Sequence, residues 1–294
     1  MRPIALIPAL LSAAALVLAF LCLFAGHKKN FMEDYHILSL NVSRLGEGLV
    51  EGTIGQDEGT LGSLWDLVPD SIQDDVGEAA GAVADKLGIE DFYSAHLLDY
   101  CYGQFTPAEA PNATLDASDI SRNVTGCSNS TAMFWFNPTE ILERALNNSG
   151  VDVTLSDLKW PQDIQRGLDA LRLVSVTAFV LYCIAIGLIF LSFLAALVAV
   201  FAAGRLSACV NLLVGILSFL AIGLASALVT AVIEKGADVI NKHGSDIGVR
   251  ADKGKKFMAI TWVATALMFV TLLLWVVELC VGRKRKGTYA AKHG

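Results

Sequence analysis

The sequence predicts a mainly α membrane protein: a four-transmembrane-helix bundle with a disulfide-closed extracellular domain between spans 1 and 2. Three observations carry this prediction. The chain of 294 residues is 54% apolar, with a mean hydropathy of +0.54. Its apolar residues gather into four runs, at 4–25, 173–203, 206–233 and 257–279, each long enough to cross a hydrocarbon core of about 30 Å. Between the first two runs lies a long polar segment that holds two cysteines and five N-x-S/T tripeptides.

Residues 1–26 read as the first span behind a short cytoplasmic N-terminus. The apolar stretch opens almost at the first residue and outlasts the h-region of a signal peptide, so it is expected to remain uncleaved. The second span occupies 170–203 and the third 206–233, joined by so short a turn that they form a tight hairpin. A second extracellular loop follows at 234–256, a fourth span at 257–281, and a basic tail at 282–294. Four spans place both termini on one side.

Charge alone does not orient the bundle. The tail sequence RKRK, Arg2 and Arg205 read as cytoplasmic, but 234–256 carries six Lys or Arg residues on the opposite side. The sequons decide: Asn41, Asn112, Asn123, Asn129 and Asn147 all fall in 27–169, whereas Asn137 is disqualified by Pro138. Both termini are therefore expected in the cytoplasm of a multi-pass membrane protein, with 27–169 outside and glycosylated. That segment has 24 acidic residues against 8 basic ones, which argues against nucleic acid as a partner. Cys101 and Cys127 are its only cysteines, and an oxidising compartment permits one bond between them. Cys22, Cys183, Cys209 and Cys280 lie in or beside spans and read as small buried hydrophobes or juxtamembrane thiols.

Inside the large segment, 46–62 is rich in glycine and acid and reads as an irregular turn-rich run. From Leu64 to Leu87, apolar residues recur every three or four positions with aspartates between them, the pattern of an amphipathic helix. Residues 89–104 are expected to form another short helix, 106–126 an exposed loop, 139–146 a helix, and 151–158 a strand or turn. Pro161 is placed to open the helix that continues into span 2. The aromatics Phe134, Trp135 and Phe136 suit either the core of a small disulfide-closed domain or a membrane interface.

No catalytic set can be assembled. The five histidines, His27, His36, His96, His243 and His293, have no close ligand spacing, and there is no paired-cysteine metal motif. His96 stands three residues from Asp99 without a nucleophile to activate, and reads as a structural donor beside the disulfide. No cofactor is called for, although bound lipids are expected. Within the spans, Asn211 and Glu278 are the main polar groups, which keeps an ion channel or regulator of ion flux as the alternative. Asn211, Gly215, Gly223 and Ala227 lie along span 3 at small-residue spacing, suited to close helix packing.

The stretch FYSAHLLDYCYGQF and the later GCSNSTAMFWFNPTEIL carry a resemblance. Phe92, Tyr93, Ser94, His96, Leu97, Leu98, Tyr100, Cys101 and Gly103, then Cys127, Ser128, Phe134, Trp135, Phe136, Pro138, Ile141 and Leu142, match the fungal four-span family named for Sur-seven and PalI. The resemblance covers nearly the whole chain. It implies a plasma-membrane protein of eisosome-associated domains, tied to cell-wall integrity, morphogenesis and stress tolerance. The implied partners are other copies of the chain, membrane lipids, and other plasma-membrane-domain or cell-wall components. The architecture is also similar to that of claudins, but the claudin signature of Trp, Leu-Trp and two closely spaced cysteines is absent around Trp65. The long cytoplasmic tail of the PalI branch is absent too, so its pH-signalling role is not expected. The resulting expectation is a non-enzymatic membrane organiser that associates laterally with itself.

Overall fold

The computed structural model describes residues 5–45, 84, 86–106, 120–150, 154–158, 160–201 and 205–290. In chain order these form α1 (Leu6–Phe24), β1 (Leu38–Asn41), β2 (Phe92–Ala95), β3 (Tyr100–Thr106), β4 (Ser121–Cys127), α2 (Pro138–Ser149), α3 (Gln162–Phe201), α4 (Arg205–Gly244), a 3-10 turn (Ser245–Ile247), β5 (Arg250–Lys253) and α5 (Lys255–Ala290). The glycine- and acid-rich run and almost all of the amphipathic stretch expected from Leu64 lie outside the described residues.

Among the described residues, four helices are long and apolar enough to cross a membrane. α3 and α4 have 40 residues each, about 60 Å at 1.5 Å per residue, roughly twice a hydrocarbon thickness. They contribute to two compact units. One comprises residues 1–24, 176–230 and 256–294, the other 25–175 and 231–255.

The first unit is the helical bundle. Its outward faces are apolar and exposed, with Leu10 at 63%, Leu213 at 61% and Val277 at 56%, a surface that only lipid would solvate favourably. Its interior uses hydroxyls as links between helices. Ser226 of α4 bonds Thr261 and Thr265 of α5 at 2.7 and 3.0 Å, and Tyr182 of α3 bonds Thr261. Elsewhere Trp275 packs among Ala5, Ala9, Ala196 and Ala199. The buried Asn211 amide donates to the Ala195 carbonyl of α3 at 3.2 Å and to Ser207 on its own helix at 2.9 Å. Along α4, Gly215 is buried, Gly223 half-buried and Ala227 exposed. A methyl group at Gly223 would make only an ordinary contact, 3.7 Å from Thr265.

The second unit is built on a five-stranded antiparallel sheet of order β4-β3-β2-β1-β5. This corrects two expectations. Residues 89–104 do not form a helix; they supply β2 and the start of β3. The segment 106–126 is not wholly an exposed loop, because β4 begins at Ser121. The second loop, 234–256, is helical to Gly244 and then provides the edge strand β5. The sheet thus joins residues that follow span 1 to residues that follow span 3.

One face of the sheet shares a core with α2 and with the ends of α3 and α4. Leu40, Tyr93, Leu142, Leu146, Ile164, Leu168, Ala237 and Ile240 all belong to it. β5 is tied back onto α4 by Asn241, whose amide mimics a strand: Oδ1 accepts from Ala251 N at 2.8 Å and Nδ2 donates to Ala251 O at 3.0 Å. Lys253 pairs with Glu234 and, at 3.2 Å, with Asp238.

Candidate functional site

The residues singled out in the sequence converge on the β2–β3 hairpin and the segment that follows β4. β2 pairs with β3 in the register Phe92–Gly103, Tyr93–Tyr102, Ser94–Cys101 and Ala95–Tyr100. Alternation along the strands sends Tyr93, Tyr100 and Tyr102 to one face, where their rings stand 6.1–6.4 Å apart. Phe92, Cys101 and Val124 cluster apart from that core, with Phe105 packed against them. Cys101 lies directly opposite Cys127 on β4, and the two form a disulfide. Beyond Cys127 the ladder continues through Ser128, whose N–H donates to the Tyr100 carbonyl at 2.8 Å while its Oγ accepts from Tyr100 N–H at 3.1 Å.

The turn between β2 and β3 is closed by His96 N–H donating to Asp99 O at 2.8 Å. Both side chains are buried, with 2% and 0% exposure. Ser130 gives its proton to Asp99 Oδ2 at 2.7 Å, so His27 Nδ1 donates to Ser130 Oγ at 3.1 Å. Burial raises the Asp99 carboxyl above its ordinary value, and Ser130 and His27 offset part of the rise.

The His96 ring lies against Gly26, whose φ of +78° and missing β-carbon make room for it. Neither ring nitrogen makes a well-formed hydrogen bond. Its link to Asp99 runs through the backbone, and the ring's own polar neighbour is the Tyr35 backbone. Burial first, then the like charge of His36, push His96 down to about 3; the Tyr35 backbone opposes this, and Arg122 adds the smallest push. His96 is neutral in the fold.

A stability prediction follows, with its sign fixed by linkage. Between pH 6.5, where an ordinary imidazole titrates, and pH 3, the unfolded chain binds the proton and the fold does not. Stability therefore rises with pH through that window and is lost as pH falls through it. Asp99 acts oppositely above pH 3.8. A His96→Leu variant is expected to lose less melting temperature than the parent between pH 7 and pH 4.5; equal losses in thermal scans at the two pH values would refute the assignment.

Beyond β4, Phe134 stacks on Tyr100 at 6.1 Å, and Phe136 meets the same ring edge-on at 6.5 Å. Trp135 is backed by the Arg172 guanidinium at 5.5 Å. Asn137 and Pro138 then start α2. The Asn137 side chain accepts from Glu140 N–H and Pro138 occupies the first helical turn. Between this segment and β3 lies a cleft of about 270 Å³, lined by Tyr100, Asn129, Phe134, Trp135, Glu140 and Arg144 among others. Glu140 and Arg144 pair at 3.0 Å on its exposed rim.

The FYSAHLLDYC and FWFNPTEIL stretches are thus one construction: a hairpin, a disulfide, an aromatic cluster and a helix cap. A model of the SUR7/PalI family matches residues 4–274. The chain belongs to the SUR7/PalI family. No curated protein and no solved structure matches it. As a SUR7/PalI protein it is a non-enzymatic, multi-span protein of the plasma membrane. Among the described residues no group of three or more His, Cys, Asp or Glu is placed to hold a metal ion.

Two contributors were not singled out from the sequence. Arg122 of β4 lies 4.2 Å from the centre of the Phe92 ring and donates to Ser39 of β1, reaching across two intervening strands. Asn241 holds β5. A lone basic residue in a turn-rich stretch and an amide near the end of an apolar helix carry no local signal. Of the sequons, Asn123, Asn129 and Asn147 are exposed and Asn41 is half-buried in β1; Asn112 lies outside the described residues.

Proposed function

We propose that this SUR7/PalI chain is a plasma-membrane organiser that associates laterally with itself in eisosome-type domains and supports cell-wall integrity, morphogenesis and stress tolerance. The observation that supports this reading is the investment of the matched motifs in a cross-braced sheet, with no metal-holding group among the described residues. Such a unit offers surfaces, and lateral association needs only surfaces. We further assign the sheet to the outside, with Asn123, Asn129 and Asn147 glycosylated and both termini cytoplasmic. The oxidised cysteine pair and the confinement of the sequons to one segment support this. The claudin-like comparison extends no further than four spans and a disulfide in the first outer loop.

The rival reading, an ion pathway past Asn211 and Glu278, has in its favour the buried Asn211 Oδ1, which lacks a hydrogen-bond partner. Imaging the protein at near-atomic resolution in native lipid discriminates the two. Repeated contacts between copies are the expected result. A monodisperse single copy would refute self-association, and a hydrated route past Asn211 would favour the pore. Protease added to sealed right-side-out vesicles is expected to spare the tail after Gly282; cleavage there would invert the topology.

A further inference from the structure

We infer that the aromatic cleft beside the disulfide is the seat of the chain's own Asn129-linked glycan, whose first N-acetylglucosamine packs into it. The inference rests on the proposed extracellular placement of the sheet. Asn129 is exposed and forms part of the cleft wall, as does Thr131, the residue that completes its sequon. The attachment point and the receiving surface are therefore contiguous, and no chain need move to bring them together.

The chemistry of the wall suits a pyranose ring. Phe134 and Trp135 are half-exposed, and each is held in place by a neighbour, Tyr100 and Arg172 respectively. Aromatic faces take the C–H side of a sugar, while the Glu140–Arg144 pair and Ser128 offer hydrogen-bonding groups to hydroxyls and the acetamido group. The cleft, at about 270 Å³, falls below the ~300–1,000 Å³ of sites for drug-sized ligands, a size for one ring and not for a long polymer. Asn123 and Asn147 are exposed as well, but neither lines the cleft. A seated sugar would immobilise residues 128–144, the segment that joins β4 to α2.

The test uses the full-length protein from a glycosylating host. Occupancy is mapped by mass spectrometry of glycopeptides. The intact protein, a sample trimmed by an endoglycosidase to one N-acetylglucosamine per site, and the variants Asn129→Gln, Asn123→Gln and Asn147→Gln are then compared. Readouts are melting temperature and hydrogen exchange in 128–144. Trimming to one sugar is expected to change neither. Asn129→Gln is expected to lower the melting temperature by roughly 2–4 °C and to speed exchange in that segment severalfold, with no such effect from the other two variants. In a Trp135→Ala background the Asn129→Gln effect should shrink. Glycans at Asn123 or Asn147 with Asn129 empty, or with an indifferent Asn129→Gln, overturn the inference alone. No glycan at any site overturns the extracellular placement and the inference together.

Discussion

Replacing both Cys101 and Cys127 with alanine is expected to destabilise the sheet unit by about 2–4 kcal/mol, the usual range for a native disulfide. The bond joins directly opposed residues of β3 and β4. Among the described residues β4 is an edge strand paired with β3 alone, so the bond secures one of the two edges of the sheet. Cys101 is fully buried in a cluster with Phe92 and Val124; alanine avoids adding an unpaired hydroxyl there. The measurement is thermal unfolding of the purified double variant, with reduction of the parent as a second route to the same state. Identical melting of the parent and the double variant would refute a stabilising role. Recovery of both parent cysteines as free thiols would refute the bond itself.

The second large effect is expected at Gly103. The β3–β4 register slips between Tyr102 and Gly103, so Tyr102 faces Gly126 and Gly103 faces Val124, leaving Thr125 as the extra residue of a bulge. Thr125 Oγ1 fastens the bulge, donating to Glu90 and to the Tyr102 carbonyl. A β-carbon on Gly103 would stand 2.8 Å from Val124 Cα and 2.9 Å from the Asn123 carbonyl carbon. These are backbone atoms and cannot rotate aside. Gly103→Val should therefore cost at least the 1–3 kcal/mol typical of overpacking, and should raise the fraction of free thiol at Cys101 and Cys127 by separating the strands. Gln104→Ala, one residue on and exposed, should stay within about 0.5 kcal/mol. Similar melting for the two variants would show that β4 yields freely.

The spans were legible because a run of some twenty apolar residues has few other uses. The sheet was not, and the reasons are local. β1, β2 and β5 have four residues each, too few for alternation to show. β2 is buried at all four positions, so no solvent-facing side marks its period, and Leu97, Tyr100 and Cys101 then imitate helical spacing. β5 reads RADK, a solvated turn by composition; its place is fixed by Asn241, ten residues before Ala251, and by pairing with β1, which is distant in sequence. The aromatics offered a domain core or a membrane interface, and Tyr100, Phe134 and Phe136 are found around one hairpin. The cleft they border needed the backbone of β3 and α2 in place before it existed at all.

The pairing of β1 with β5 sets a timetable for biosynthesis. β1 leaves the ribosome early, yet its outer partner arrives more than two hundred residues later, roughly 10–40 s at ordinary elongation rates of 5–20 residues per second. Throughout that interval the N–H and C=O groups of the strand face outward unmet, a template for any passing chain. Only when spans 2 and 3 have been threaded and the chain has returned to the same side can Arg250–Lys253 close the edge. Nascent chains halted before residue 250 should thus be the ones that quality-control chaperones hold.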